Sequence, residues 1–175
     1  VKVRFDVVIN KGTILGQNVQ VTDQNGEAKV RATVGTTIGA NLYGVSLPDY
    51  QALTPVTFSA KTTVIPGQAE RLQLSHGNQQ HSTVGQQFPQ PFIVIAKDDF
   101  DNPVPDVPVT FSVLDDGSYP GIGTFVDGSK SYLVKTDQQG QARVYYQAGT
   151  VAGINKVTAC LPSGQGCIDF EVVGD

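Results

Sequence analysis

Two cysteines, Cys160 and Cys167, bracket the turn Leu161-Pro162-Ser163-Gly164-Gln165-Gly166. If Val157, Ala159 and Leu161 point into a core, the two-residue period of a strand turns Cys160 outward. If Ile168, Phe170 and Val172 point inward, Cys167 turns outward as well. Both thiols then share one face of a hairpin, nearly opposite each other. Directly opposed residues of an antiparallel pair hold their Cβ atoms within the ~4.5 Å that a disulfide requires. The spacing therefore predicts a Cys160–Cys167 disulfide. Two other uses of the pair are weaker. A metal site needs further ligands, and His76 and His81 lie far away in sequence. A redox dithiol usually has the Cys-x-x-Cys spacing, which is absent. A disulfide implies an oxidising compartment, such as a periplasm, a cell surface or the exterior.

The run Asp98-Asp99-Phe100-Asp101-Asn102-Pro103, with Asp106 behind it, gathers carboxylates that could hold calcium, a hard cation that takes six to eight oxygens. The spacing is not that of a helix-loop-helix calcium loop. Strand-to-strand turn chemistry explains every residue: Asp and Asn accept backbone hydrogen bonds and Pro103 fixes φ. No metal is expected. His76 and His81 frame Gly77-Asn78-Gln79-Gln80, read here as a solvated loop that lacks the third and fourth ligands of a zinc site. No Gly-x-Ser-x-Gly elbow occurs, so no catalytic residue is assigned. Glycines stand singly at turns and form no phosphate loop, so no cofactor is expected. Lys29, Arg31 and Arg143 read as solvated strand positions. Of Tyr145 and Tyr146, alternation buries one.

The elements that must carry these residues are strands. Val is the commonest of the 175 residues and Thr is frequent, with 19 Gly and 10 Pro. Glutamate occurs only at Glu27, Glu70 and Glu171, while aspartate, the turn former, is several times commoner. Hydrophobic residues at 39% suffice for a core and exclude a disordered chain. A net charge of −4 argues against nucleic acid as a partner. No apolar run approaches a membrane span, so no membrane insertion by this segment is expected, and the opening VKVRFDVVIN does not read as a signal peptide.

A repeat organises the chain. Thr22-Asp23-Gln24-Asn25-Gly26-Glu27-Ala28-Lys29-Val30 returns 114 positions later as Thr136-Asp137-Gln138-Gln139-Gly140-Gln141-Ala142-Arg143-Val144. The offset holds through Gly35/Gly149, Gly39/Gly153, Asn41/Asn155 and Leu47/Leu161. Upstream, Val3-Arg4-Phe5 resembles Val109-Thr110-Phe111. The second copy has about forty residues ahead of Val109, from Pro66 to Pro108, that the first lacks. The reading is two modules: 1–65, without its opening strands, and 66–175, complete, joined stiffly near Ile65-Pro66-Gly67.

Period two then places the strands. In the second module Glu70–Ser75, Phe92–Lys97, Val107–Val113, Gly123–Val126 and Tyr132–Thr136 are strands. Ala142, Val144, Tyr146 and Ala148 face inward along one more, followed by Val157–Leu161 and Ile168–Val172. In the first, the inward residues are Phe5, Val7 and Ile9; Ala28, Val30, Ala32 and Val34; Tyr43, Val45 and Leu47; and Val56 and Phe58. The fold class is all-β, a sandwich of two antiparallel sheets. Cys160 and Cys167 correspond to Ser46 and Pro55, so the staple belongs to one copy.

Val94-Ile95-Ala96-Lys97-Asp98-Asp99-Phe100-Asp101-Asn102-Pro103-Val104-Pro105-Asp106-Val107-Pro108-Val109-Thr110-Phe111 resembles the bacterial immunoglobulin-like domain of the invasin/intimin type, with its "D-x-x-G-N-P-V" turn and "V-P-V-T-F" re-entry. Asp101 stands where that family usually has glycine. Thr136-Asp137-Gln138-Gln139-Gly140-Gln141-Ala142 resembles the family's "T-D-x-x-G-x-A". The resemblance implies tandem immunoglobulin-like modules in a bacterial surface or secreted protein. The expected role is a non-enzymatic spacer or adhesive stalk, held extended by short linkers and sandwich cores. Its partners would be neighbouring modules or copies of itself, with a host protein or glycan reached through another domain. Two further roles stay open. One is an extracellular filament subunit assembled by strand complementation at the open edge of the first module. The other is an accessory, carbohydrate-binding module of a secreted enzyme.

Overall fold

The computed structural model describes residues 1–60, 65–164 and 166–175, and all regular structure among them is strand and turn. The backbone divides into two units, Val1–Ile65 and Pro66–Asp175. The expected all-β, immunoglobulin-like class is the class found.

In the second unit the strands are β7 (Arg71–His76), β8 (His81–Ser82), β9 (Phe92–Lys97), β10 (Pro108–Val113), β11 (Thr124–Phe125), β12 (Ser131–Lys135), β13 (Gln141–Val144), β14 (Tyr146–Gln147), β15 (Gly153–Cys160) and β16 (Ile168–Gly174). One sheet runs β12-β10-β15-β16-β8 and a second runs β13-β9-β7, with β11 paired to β14. Period-two side chains from both sheets meet in one core. Val109, Phe111, Val157, Ala159, Phe170 and Val172 come from the first sheet and Phe92, Val94, Ala96 and Ala142 from the second, all with no exposed surface. Phe92 stacks on Phe170 with ring centroids 4.6 Å apart, and Tyr146 lies against Phe88, Phe92 and Phe125. The strand expected through Ala142–Ala148 is interrupted at Tyr145, so one half pairs with β9 and the other with β11. Its four inward residues are nonetheless buried.

The first unit holds β1 (Lys2–Ile9), β2 (Thr13–Leu15), β3 (Val19–Val21), β4 (Arg31–Thr33), β5 (Asn41–Ser46) and β6 (Val56–Ala60). Its main sheet runs β3-β1-β5-β6, with β2 paired to β4. The registers parallel those of the second unit. Arg4 opposes Ser46 as Thr110 opposes Cys160, and Tyr43 opposes Phe58 as Val157 opposes Phe170.

The first unit departs from the alternation read in its sequence at four places. Residues 28–30, expected in a strand, belong to none, and β4 is confined to Arg31–Thr33. Ala32 and Val34 are exposed rather than inward. A bulge between Val7 and Ile9 breaks the two-residue period and leaves Ile9 exposed. Val56 and Phe58 are 68% and 48% exposed, where Phe170 is fully buried. The common cause of the last and the first is one missing layer. In the second unit β9 covers Phe170 and pairs with β13, and the first unit has no strand in that place among the described residues.

Candidate functional site

Cys160 ends β15 and Cys167 precedes β16. These strands pair antiparallel from Gly153↔Gly174 to Ala159↔Ile168, so the next pair outward is the two cysteines. Their sulfurs are bonded and their Cα atoms lie 4.3 Å apart. Half-buried Cys160 sits between buried Ala159 and Leu161, as alternation requires, and Cys167 is exposed. The enclosed turn is closed by Gly164 N–H donating to Leu161 O at 2.9 Å; its Gln165 lies outside the described residues. Reduction of this bond is expected to lower the stability of the second unit by about 2 kcal/mol, the low end for a short loop. Denaturant midpoints with and without reductant measure it, and the first unit should not respond.

Asp98, at the end of β9, is 2% exposed, and its carboxylate accepts four hydrogen bonds. Oδ1 takes the amides of Phe100 (2.9 Å) and Asn102 (2.8 Å); Oδ2 takes the Asn102 side chain and the Gly67 amide, both at 3.0 Å. Desolvation pushes its pKa up. The Asn102 side chain and the Gly67, Asn102 and Phe100 amides favour the charged form and win, so the net shift is downward. Asp101 takes φ = 69°, the left-handed backbone for which glycine is the usual residue. Its carboxylate pairs with Arg71 and, at 3.4 Å, with Lys97. Two cations already sit on Asp101 and four donors on Asp98, so this cluster builds a turn. Among the described residues no three His, Cys, Asp or Glu side chains converge as metal ligands.

The histidines were expected in one loop, but the structure puts them at strand positions, His76 at the end of β7 and His81 in β8 beside Val173. His76 Nδ1 lies 2.8 Å from Ser75 Oγ and His81 Nδ1 3.0 Å from Asp175 Oδ2. The short His81–Ser82 strand was hidden because its pairing partner, β16, is about ninety residues away. Tyr146 is the buried member of its pair and Tyr145 is exposed. The Tyr146 hydroxyl accepts from Gly123 N–H (2.8 Å) and donates to Asn155 Oδ1 (3.1 Å). Burial pushes its pKa up to about 12. Lys29, Arg31 and Arg143 are exposed.

The feature that sequence reading located only indirectly is the open face of the first unit. Two cavities lie on it, of 530 and 400 Å³, and both are lined by Phe5 and Ala28. Val3, Val45 and Val56 complete the apolar wall of one, and Tyr43 and Phe58 that of the other. The signal that pointed here was the absence from the first copy of anything like Pro66–Pro108.

No family model matches this sequence. Nor does any curated protein match it. Solved structures do. The Yersinia pseudotuberculosis adhesin InvE is similar at 23% identity and a TM-score of 0.50, over 99% of this chain and 48% of that one. The D0-D1 domain of intimin is similar at 18% identity (TM-score 0.42), over 99% of this chain and 80% of that one. A glycosyl hydrolase family 2 member from Bacteroides cellulosilyticus is similar at 15% identity (TM-score 0.46), over 99% of this chain and 21% of its own. The chain thus spans about half the length of InvE. In fold, it is an immunoglobulin-like β-sandwich protein of the kind seen in that adhesin.

Proposed function

We propose that this chain is a structural part of a bacterial cell-surface or secreted protein, a non-enzymatic spacer or adhesive stalk built from two immunoglobulin-like modules, 1–65 and 66–175. The observation that carries the reading is the construction of the second unit. Its core closes between two sheets, its last hairpin is stapled by Cys160–Cys167, and its entry at Gly67 is tied to Asp98. Each device stiffens the module, and none is arranged around a substrate. The staple also suits an oxidising compartment. The fold it shares with InvE supports the surface setting.

In this role the partners are neighbouring modules, and host proteins or glycans are met by other domains. The test displays an epitope on a bacterial surface beyond one and then two copies of the 175-residue chain. A spacer moves the epitope outward by the same increment per copy, measured by super-resolution localisation against a membrane marker. No outward movement overturns the reading. Clear, competable binding of the chain to a glycan array would favour the accessory module instead.

A further inference from the structure

We propose that the open face of the first unit is the seat of an extended apolar polypeptide strand with the chemistry of Phe92–Lys97, paired antiparallel with residues 27–30. The inference rests on the fold and not on the spacer reading, so either can fail alone.

The two units specify this strand residue by residue. Ile14 opposes Ala32 as Phe125 opposes Tyr146, so residues 27–30 stand where β13 stands in the second unit. The turns leading in are built alike. Asp137 Oδ1 accepts the amides of Gln139 and Gln141, each at 2.9 Å, and Asp23 Oδ1 accepts those of Asn25 and Glu27 at 2.8 and 3.0 Å. Gly140 N–H donates to Asp137 O as Gly26 N–H donates to Asp23 O.

Past the turn the two units diverge. In the second, β9 pairs with β13 from Gln141↔Ile95 to Val144↔Phe92, and Ala96 N–H donates to Gly140 O at 2.8 Å. A Cβ built on Gly140 would meet Pro103 Cβ at 2.8 Å and Ala96 O at 3.0 Å; the same atom on Gly26 meets nothing within 4 Å among the described residues. Phe170 is roofed by Phe92, while Phe58, its counterpart, is about half exposed.

The face therefore lacks one layer, and the missing layer has a defined chemistry. It needs a main chain that hydrogen-bonds to residues 27–30, as β9 does to β13. It needs an aromatic side chain opposite Val30 that reaches Phe58. It also needs small or β-branched residues over Phe5 and Ala28, where the two cavities lie.

The experiment offers such a strand in two forms. One is a free peptide, Gln90–Pro103. The other is the segment 66–106 copied ahead of Val1, which stands at the position of Val107. That junction disturbs nothing, because the Val1 nitrogen donates to Thr22 Oγ1 at 2.9 Å as the Val107 amide donates to Thr136 Oγ1 at 2.9 Å. Hydrogen exchange of residues 27–30 and 41–46 is followed in the 175-residue chain.

Protection of the 27–30 amides should rise at least tenfold with the copied segment, and in proportion to occupancy with the peptide. A copied segment carrying Phe92→Ser and Val94→Ser should lose the gain, with protection in the second unit unchanged. The proposal is overturned if neither form protects residues 27–30. It is equally overturned if sedimentation shows that the chain alone dimerises through this face with those amides already protected.

Discussion

Replacing Phe92 by Ala is expected to destabilise the second unit by about 3–5 kcal/mol, the largest effect of any single substitution considered. Phe92 is fully buried and is the residue at which the two sheets meet. Its ring stacks on Phe170 of the facing sheet at 4.6 Å and on Tyr146 at 5.5 Å. Deleting it costs the transfer free energy of a benzyl group and leaves a cavity whose walls are held by strands on both sides. Phe92→Leu should cost less, because most of the volume is kept. Chemical denaturation of the whole chain measures both. A loss below 1 kcal/mol for Phe92→Ala would mean that the sheets are not joined through this stack.

Asp98→Ala should cost about 3 kcal/mol through a different mechanism. Four donors lose one acceptor at once, and at least the Asn102 amide is left buried. The wild-type contribution also depends on pH. The folded pKa lies below the ordinary carboxylate value of 3.8, so the stabilisation is present above that value and is lost as pH falls through the folded pKa. Unfolding midpoints of the wild type should therefore fall as the pH is lowered through and below the ordinary carboxylate value of 3.8. In Asp98→Ala that fall should be shallower, the remainder coming from carboxylates such as Asp169, which Thr158 and Lys156 also hold in the charged form. Identical pH profiles for the two proteins would remove Asp98 from this role.

Much of this was legible because it is local. The Asp-x-x-Gly turns, the period of Val109, Phe111 and Val113, and the facing of Cys160 against Cys167 each depend on residues within one hairpin or strand. What escaped depends on partners far along the chain. Residues 28–34 carry a strand's alternation, yet alternation forms a strand only where a neighbour supplies hydrogen bonds and a covering layer. Asp98 reads as a turn former, but its hold on Gly67 joins residues 31 apart. The interruption at Tyr145 has the same origin, since β9 and β11 claim successive parts of one apolar run. The open face could be located only as a gap between the two copies, because a groove lined by Phe5, Ala28 and Tyr43 is spelled like any core.

The bond between Cys160 and Cys167 has a consequence under tension. A sandwich pulled from its ends gives up its residues as slack when it ruptures. The seven-residue span between the sulfurs cannot join that slack while the bond is closed. About 20 Å of contour is thereby withheld, at some 3.4 Å per residue less the width of the bridge. The tether formed from an unravelled second unit is correspondingly shorter in oxidising surroundings than in reducing ones. Its length under load then reports the redox state of the medium around it.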